Sequence, residues 1–339
     1  MTSASWVGIH LFTNEGVYGQ RFDEFLINQI APAVIAAVDR RLCDRWFFIR
    51  YGDGGPHLRL RLRARDQQSA RVLGVAFSDV SQAIQNEDEV TLATSRHLED
   101  HYGLSRRVPP GSMKLEPYVP EIDRFGGVEA LRICEAEFCS SSKAVVDVLS
   151  ELAGEPSSSK LAIGLYMMLS TLETFLGPTI DRLRFARNLM RAYLDAEIGF
   201  VADTLWRDDA ALHQFLLQDY QQLPEPLAVD AAREAFDERF ASRSDYLVAA
   251  VSRVGHAVAR GEVNQLNPWR AHQSDSYVKL VHCALSGRLR LSHFRPIDAE
   301  QSVATIAGNL IHLNANRLGL DLNDEAWLAY LYSRWLEQS

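Results

Sequence analysis

The chain has 339 residues, 47% hydrophobic and 23% charged, the balance of an ordinary globular protein with ample core and room for two domains or one composite domain. Its formal charge of −9 argues against general nucleic-acid binding, which rests on an excess of lysine and arginine. The N-terminus lacks the basic and apolar regions of a signal peptide, no run nears a membrane span, and the four cysteines form no CxxC pair and read as reduced, so a cytoplasmic address is expected.

In chain order, Trp6 to Phe12 reads as a strand, Tyr18 to Leu42 as a helix interrupted near Pro32, and Trp46 to Tyr51 as a second strand. The Gly-rich segment at 52–56 is a turn feeding a third strand, His57 to Arg65, which gives the clearest β-hairpin of the sequence. A helix is expected over Gln67 to Gln85, then extended pieces near Val90 and over Lys114 to Tyr118. After Gly126 and Gly127 apolar residues recur at helical spacing, placing helices near 127–152, 158–176, 181–219, 229–260, 274–288, 298–318 and 323–337. Composition makes loops of the Gly154 to Ser159 stretch, the region of Pro224 and Pro226, and Asn264 to Ser274. The fold class is therefore α+β: a mixed part over 1–125 with an antiparallel sheet and helices, then a mainly helical part over 126–339, the two forming one composite catalytic unit.

The third strand carries the first chemical signal. A period of two puts Leu58, Leu60 and Leu62 on one face and His57, Arg59, Arg61 and Arg63 on the other, with same-face neighbours about 6.5 Å apart. A guanidinium row repels itself and stays charged, so it needs water, protein carboxylates or an anionic guest opposite it. A solvated outer face paired to acids is the ordinary reading. The preceding strand is apolar on both faces, however, which implies a covered sheet and a row facing a cleft, where a peptide backbone or carboxylate fits.

Three further groups stand out. The stretch from Leu115 to Gly127 packs Glu116, Glu121, Asp123 and Arg124 with Tyr118 and two prolines ahead of a helix, either an ion-paired linker or a site-building loop whose Glu121 and Arg124 face the arginine strand. On the penultimate helix His312 and Asn316 share a face at i, i+4, where a histidine is either a satisfied core residue or a proton carrier. The segment from Asn267 to Tyr277 gathers Trp269, His272, Ser274 and Tyr277; Ser274 or Asp275 reads as a helix cap, or the group offers a stacking indole with hydroxyl donors. His97 and His101 lie at i, i+4 without the glutamate of HExxH, the serine triplets lack a nucleophile elbow, and no nucleotide-binding motif occurs, so neither metal nor organic cofactor is expected.

The blocks from Trp46 to Arg61, Tyr118 to Gly127 and His312 to Gly319 resemble, in order and across essentially the whole chain, the thiopeptide-type bacteriocin biosynthesis family. That family is related to the C-terminal elimination domain of class I lanthipeptide dehydratases. The resemblance implies the same α+β fold and carries working roles onto Arg59, Arg61, Glu121, Arg124 and His312. Phe125, where a tyrosine is common, and Asn314 depart from the usual pattern.

Elimination domains remove glutamate from glutamylated Ser or Thr to leave dehydroamino acids. Stand-alone members include pyridine synthases, which join two dehydroalanines of a leader-bearing, azole-containing peptide in a formal 4+2 aza-cycloaddition, with loss of water and leader. The resemblance thus implies a precursor peptide as partner, without nucleic acid or membrane, and a homodimer as an open option. The chain shows no glutamylation domain, which fits a separate cyclase and also a split elimination protein; its length and the Trp269 loop favour the cyclase. A non-catalytic peptide-binding subunit is the third reading. In the cyclase reading His312 and Tyr118 move protons, Arg59 and Arg61 hold carbonyls, Glu121 and Arg124 orient these groups, and His57, Arg63, Trp269, Ser274, Tyr277 and Asn316 bind substrate.

Overall fold

The structure, a computed structural model, describes residues 5–13, 16–52, 54–88, 108–153, 157–177, 180–201, 266–289, 291 and 299–338. The fold is α+β, as expected, and its sheet comprises β1 (Ser5–Phe12), β2 (Cys43–Tyr51), β3 (His57–Ala64) and β4 (Met113–Pro117) in the order β2-β3-β1-β4. All three pairings are antiparallel. The alternation in β3 fixes its register: Leu58, Leu60 and Leu62 are each 0% exposed, so a slip by one residue would bury the arginines in their place. β2 starts earlier than the apolar run suggested. A register shift between Cys43 and Arg45 sets Asp44 out of the ladder, where its carboxylate pairs with Arg63.

The interruption expected near Pro32 is a π-helical turn, Leu26–Ile30, between α1 (Gln20–Phe25) and α2 (Ala31–Asp39). Pro32 sits in the first turn of α2, where its missing N–H does least harm. α3 (Gln67–Asp88) and α2 pack on the sheet, and α4 (Val128–Glu151) runs against β2. The remaining described helices are α5 (Ser157–Phe175), α6 (Arg182–Val201), α7 (Asn267–Leu285), α8 (Ala299–Leu318) and α9 (Leu322–Gln338). The extended piece near Val90, the helix over 229–260, the end of the helix begun at 181, the loop around Pro224 and Pro226, and His97 and His101 lie outside the described residues.

The chain divides into two compact units, each described by itself. The first comprises residues 1–155, 265–302 and 316–319, and so holds the sheet, α1 to α4 and α7; the second comprises 156–264, 303–315 and 320–339. In the second, α6 and α9 lie side by side, and Ile306, Leu310, Met190, Leu172, Phe175 and Leu328 are almost wholly buried. Among the described residues no helix is long and apolar enough to cross a membrane.

β2 is an edge strand, yet its free backbone groups are satisfied by side chains. The Phe48 N–H donates to Ser142 Oγ (3.2 Å), and the Phe48 carbonyl accepts from Arg317 Nε (2.9 Å). Two residues on, Asn316 accepts the Arg50 N–H through Oδ1 (2.9 Å) and donates Nδ2 to the Arg50 carbonyl (3.0 Å), imitating a fifth strand. The Arg50 side chain is buried among the Val17 carbonyl (2.8 Å), the Arg317 carbonyl (3.0 Å) and Asp23 (2.7 Å), with Phe22 beneath it at 5.0 Å. Gly319 makes this possible: its φ is +83°, and a Cβ there would lie 2.9 Å from Arg50 Nη1. Gly319→Ala is therefore expected to destabilise the fold by about 1–3 kcal/mol, read as a lower urea midpoint; an unchanged midpoint would show that Arg50 can move aside.

Candidate active site

The arginine face of β3 is graded rather than uniform. His57 is 1% exposed and Arg61 9%, whereas Arg59 and Arg63 are half-buried. Arg63 is neutralised by Asp44, and the contact holds that carboxyl below its ordinary range. Arg59 is held on two sides: its guanidinium lies 3.2 Å from the Tyr51 ring centroid and its Nε donates to His57 Nε2 (3.1 Å), while His57 Nδ1 in turn meets the Gly55 carbonyl (2.8 Å). These contacts fix the His57 tautomer with the proton on Nδ1 and, among the described residues, leave the terminal nitrogens of Arg59 unspent.

Arg61 is the group most in need of a partner. Its one hydrogen bond among the described residues is long, from Nη1 to the Leu60 carbonyl at 3.4 Å, and its other neighbours are Tyr118, 6.0 Å from ring to guanidinium, and Glu116. Burial, with Arg59 beside it, brings its pKa down to about 10, so it remains a cation at neutral pH. Beneath it Gly8 of β1 leaves room, since a Cβ there would lie 2.3 Å from the Glu116 carbonyl oxygen and 3.1 Å from Arg61 Nη1. On the same face His10, opposite Arg59 in register and stacked on His57 at 5.1 Å, is 9% exposed and its Nε2 has no hydrogen-bond partner. Burial, then Arg61, His57, Arg59 and Lys114, pull its pKa down to about 3, so it is a neutral imidazole among cations.

Beyond Arg63 an open groove of about 1180 Å³ is lined by Trp6, Arg45, Arg63, Tyr118, Arg132 and His272, among others. Tyr118 lies edge-on to Trp6 (5.7 Å) and Phe47 (5.9 Å), and burial, with Glu135 beside it, pushes its phenol pKa up, so it stays a proton donor. Glu121 and Arg124 pair with each other at 3.1 Å on the surface, their side chains 55% and 45% exposed. Their neighbours Pro120 and Ile122 line the groove.

In the second unit His312 on α8 meets Glu325 on α9, with Nδ1 3.0 Å from both carboxylate oxygens, and Tyr193 of α6 lies 6.2 Å away ring to ring. The contact orients the imidazole through Nδ1. Burial pushes the Glu325 pKa up from its ordinary 4.5 to about 7, against the pull of His312. The folded state then holds more protons than the unfolded one between pH 4.5 and about 7, so this group lowers stability as pH rises through that window. Glu325→Gln keeps an acceptor for Nδ1 but cannot titrate. The fall in urea midpoint between pH 5 and pH 8 is expected to be shallower in this variant than in the wild type; equal slopes would count against it.

Several expected site residues do other work. Trp269 does not offer a stacking face: it is 1% exposed and its Nε1 donates to Glu137 Oε1 at 2.6 Å. Its segment is not a loop, because α7 starts at Asn267 with Pro268 in its first turn, and Ser274 is mid-helix, bonded to the Arg270 carbonyl (3.3 Å) rather than capping. Tyr277 is half-buried on the same helix. Asn316 spends both ends of its amide on Arg50, so it completes the sheet instead of meeting a guest. Sequence reading missed His10, Glu137 and Glu325. His10 could have been found from its place on β1 opposite the arginines, and Glu137 from its helical spacing with Cys134, Phe138 and Ser141, all buried. Among the described residues no group of three or more His, Cys, Asp or Glu side chains is placed to hold a metal ion.

A lantibiotic-dehydratase type of fold, with an antiparallel sheet presenting buried arginines, is thus on hand, and the family model described as lantibiotic biosynthesis dehydratase C-terminal matches residues 6–336: the chain belongs to this family. Nisin biosynthesis protein NisB of Lactococcus lactis subsp. lactis is 25% identical over 130 residues, 38% of this chain but 11% of that protein, so the match spans about a tenth of the relative's length. Among solved structures, TsrL aligns with a TM-score of 0.59 at 18% identity over 99% of this chain and 95% of its own. TbtD, a pyridine synthase from thiomuracin biosynthesis, aligns at 0.56 and 17% over 98% of both chains. The tRNA-dependent lantibiotic dehydratase MibB from Microbispora sp. 107891 aligns at 0.53 and 18% over 100% of this chain and 29% of its own. At these identities the structural likeness shows the shared fold.

Proposed function

We propose that the protein is a cofactor-independent pyridine synthase of thiopeptide assembly. It joins two dehydroalanines of a leader-bearing, azole-containing precursor peptide in a formal 4+2 aza-cycloaddition and releases water and leader as the ring becomes aromatic. The observation that carries this reading is Arg61: a guanidinium 9% exposed whose one hydrogen bond among the described residues is a 3.4 Å contact to a backbone carbonyl. A buried cation so poorly matched is stabilised when a guest brings an oxygen to it. Together with Arg59 it can hold backbone carbonyls of a polypeptide, and the match to a pyridine synthase over 98% of both chains supports the cyclase.

The reaction needs one backbone amide to react as its iminol while two remote alkenes are held together. Positioning in near-attack geometry is worth about 7–11 kcal/mol, and general acid–base help about 10²–10⁴-fold. In this reading Arg59 and Arg61 polarise the amide oxygen and Tyr118 supplies a phenolic proton; a proton-carrying role for His312 is proposed for the second unit taken by itself, where Glu325 orients the ring. Glu121 and Arg124 form the rim.

A second reading, elimination of glutamate from glutamylated Ser or Thr, is favoured by the same unspent guanidiniums, which would clamp the departing carboxylate. One experiment separates the two. The protein is incubated with an azole peptide bearing two dehydroalanines and, separately, with a glutamylated peptide, and products are read by mass spectrometry. Loss of water and leader from the first is expected; loss of glutamate from the second would replace the cyclase by the lyase, and binding without any mass change would leave a peptide adapter.

A further inference from the structure

The wall of the groove contains a pair of titratable groups that the reaction above does not use. Glu137 on α4 is 1% exposed; Oε1 accepts from the Trp269 indole and Gln273 also hydrogen-bonds to the carboxyl, while Oε2 has no hydrogen-bond partner among the described residues. Facing it at 3.8 Å is Nε2 of His272 on α7, likewise buried at that atom and unpartnered, although the rest of the His272 ring lines the groove. The His272 ring also hydrogen-bonds to the Ala136 backbone, which helps to hold it beside the carboxyl. Two complementary atoms thus lie just beyond hydrogen-bond distance, each buried and neither satisfied, which costs free energy unless a proton is shared between them.

We propose that Glu137 and His272 share a single proton, and that a carboxylate bound in the adjoining groove draws it onto His272, making this part of the groove a carboxylate site coupled to the core. Burial pushes the Glu137 pKa up to about 8 against the pull of Trp269, Arg317 and Gln273, and burial lowers that of His272. A pair sharing one proton has two forms: carboxylic acid beside neutral imidazole, which burial of both groups favours, or carboxylate beside imidazolium. The proton passes from Glu137 Oε2 to His272 Nε2, and no other bond changes. Only the second form gains from an anion in the groove.

The surroundings favour such a guest. Among the groove's charged groups Arg63 is answered by Asp44, Lys279 by Asp275, and Glu129 by Arg288. Glu135 lies against Tyr118. Arg45 and Arg132 have no ion-pair partner among the described residues, which leaves the groove cationic. Around His272 itself, Asp275 supports its charged form while Lys279 and Arg45 oppose it, and an anion on the groove side offsets those two.

The test is independent of the cyclase reading, because it uses glutarate as a plain carboxylate probe and glutaramide as its neutral control. Nitrogen-15 NMR of the whole protein follows the His272 ring and the Trp269 indole N–H, the latter reporting the charge on Glu137. Glutarate is expected to move both signals saturably and to raise the His272 midpoint, whereas glutaramide leaves them in place. Glu137→Gln, which keeps an acceptor for Trp269, is expected to weaken glutarate at least five-fold and to abolish the indole titration. His272→Gln should shift the indole titration and remove the saturable response. The inference is overturned by no saturable shift with glutarate, by equal response to glutaramide, or by unchanged affinity in the folded Glu137→Gln variant.

Discussion

Arg61→Met is expected to lower kcat/KM for the bis-dehydroalanine peptide by about 10²–10³-fold, the usual loss when one charge-stabilising donor is removed from a site. The same change should leave the urea midpoint unaltered or raise it. Arg61 is buried, its charge opposed by Arg59, and its one hydrogen bond among the described residues is long, so replacing it with an apolar side chain of similar length removes a desolvation cost without breaking a good contact. Arg61→Lys retains charge but not the planar fork and should recover only part of the rate. Product mass spectrometry beside urea unfolding reads both halves; a variant that turns over normally, or one that loses activity only in step with its fold, would remove Arg61 from the site.

Asp23→Ala is the converse case. Arg50 is 1% exposed, and burial already lowers its pKa while Asp23 raises it. Removing the carboxylate strands a charge in the core, with an expected loss of about 3–5 kcal/mol in unfolding free energy. The double variant Asp23→Leu with Arg50→Met removes charge and counter-charge together and should regain much of that loss. A single-variant loss below about 1 kcal/mol would mean that the pair behaves like a surface ion pair and that the carbonyls of Val17 and Arg317 suffice for Arg50.

The sheet was legible because its signals are local. Period-two alternation in β3, a Gly-rich turn before it and a bulky partner strand name the hairpin without tertiary information. The helix limits failed at α7, where Pro268 was read as a loop residue although it opens the helix, and Trp269 went to solvent with it. That error has a physical root. A proline in the first turn and a proline in a loop look alike until the face beyond is known to be buried, and this face is buried because Glu137, far away in sequence, accepts the indole proton. Asn316 shows the same limit: helical spacing placed it on one face with His312 and suggested a substrate contact, but its partners are the backbone groups of a strand residue 266 positions earlier. Long-range satisfaction of backbone groups leaves no periodic mark.

The blocking of β2 gives the sheet a direction. With Ser142, Arg317 and Asn316 spent on Phe48 and Arg50, an incoming extended segment finds the backbone groups of those two residues already taken, and the other margin of the sheet is β4. There Lys114, Glu116 and the ring of Pro117 limit which sequences could align, so growth into stacked, amyloid-like ribbons is hindered on one margin and screened on the other.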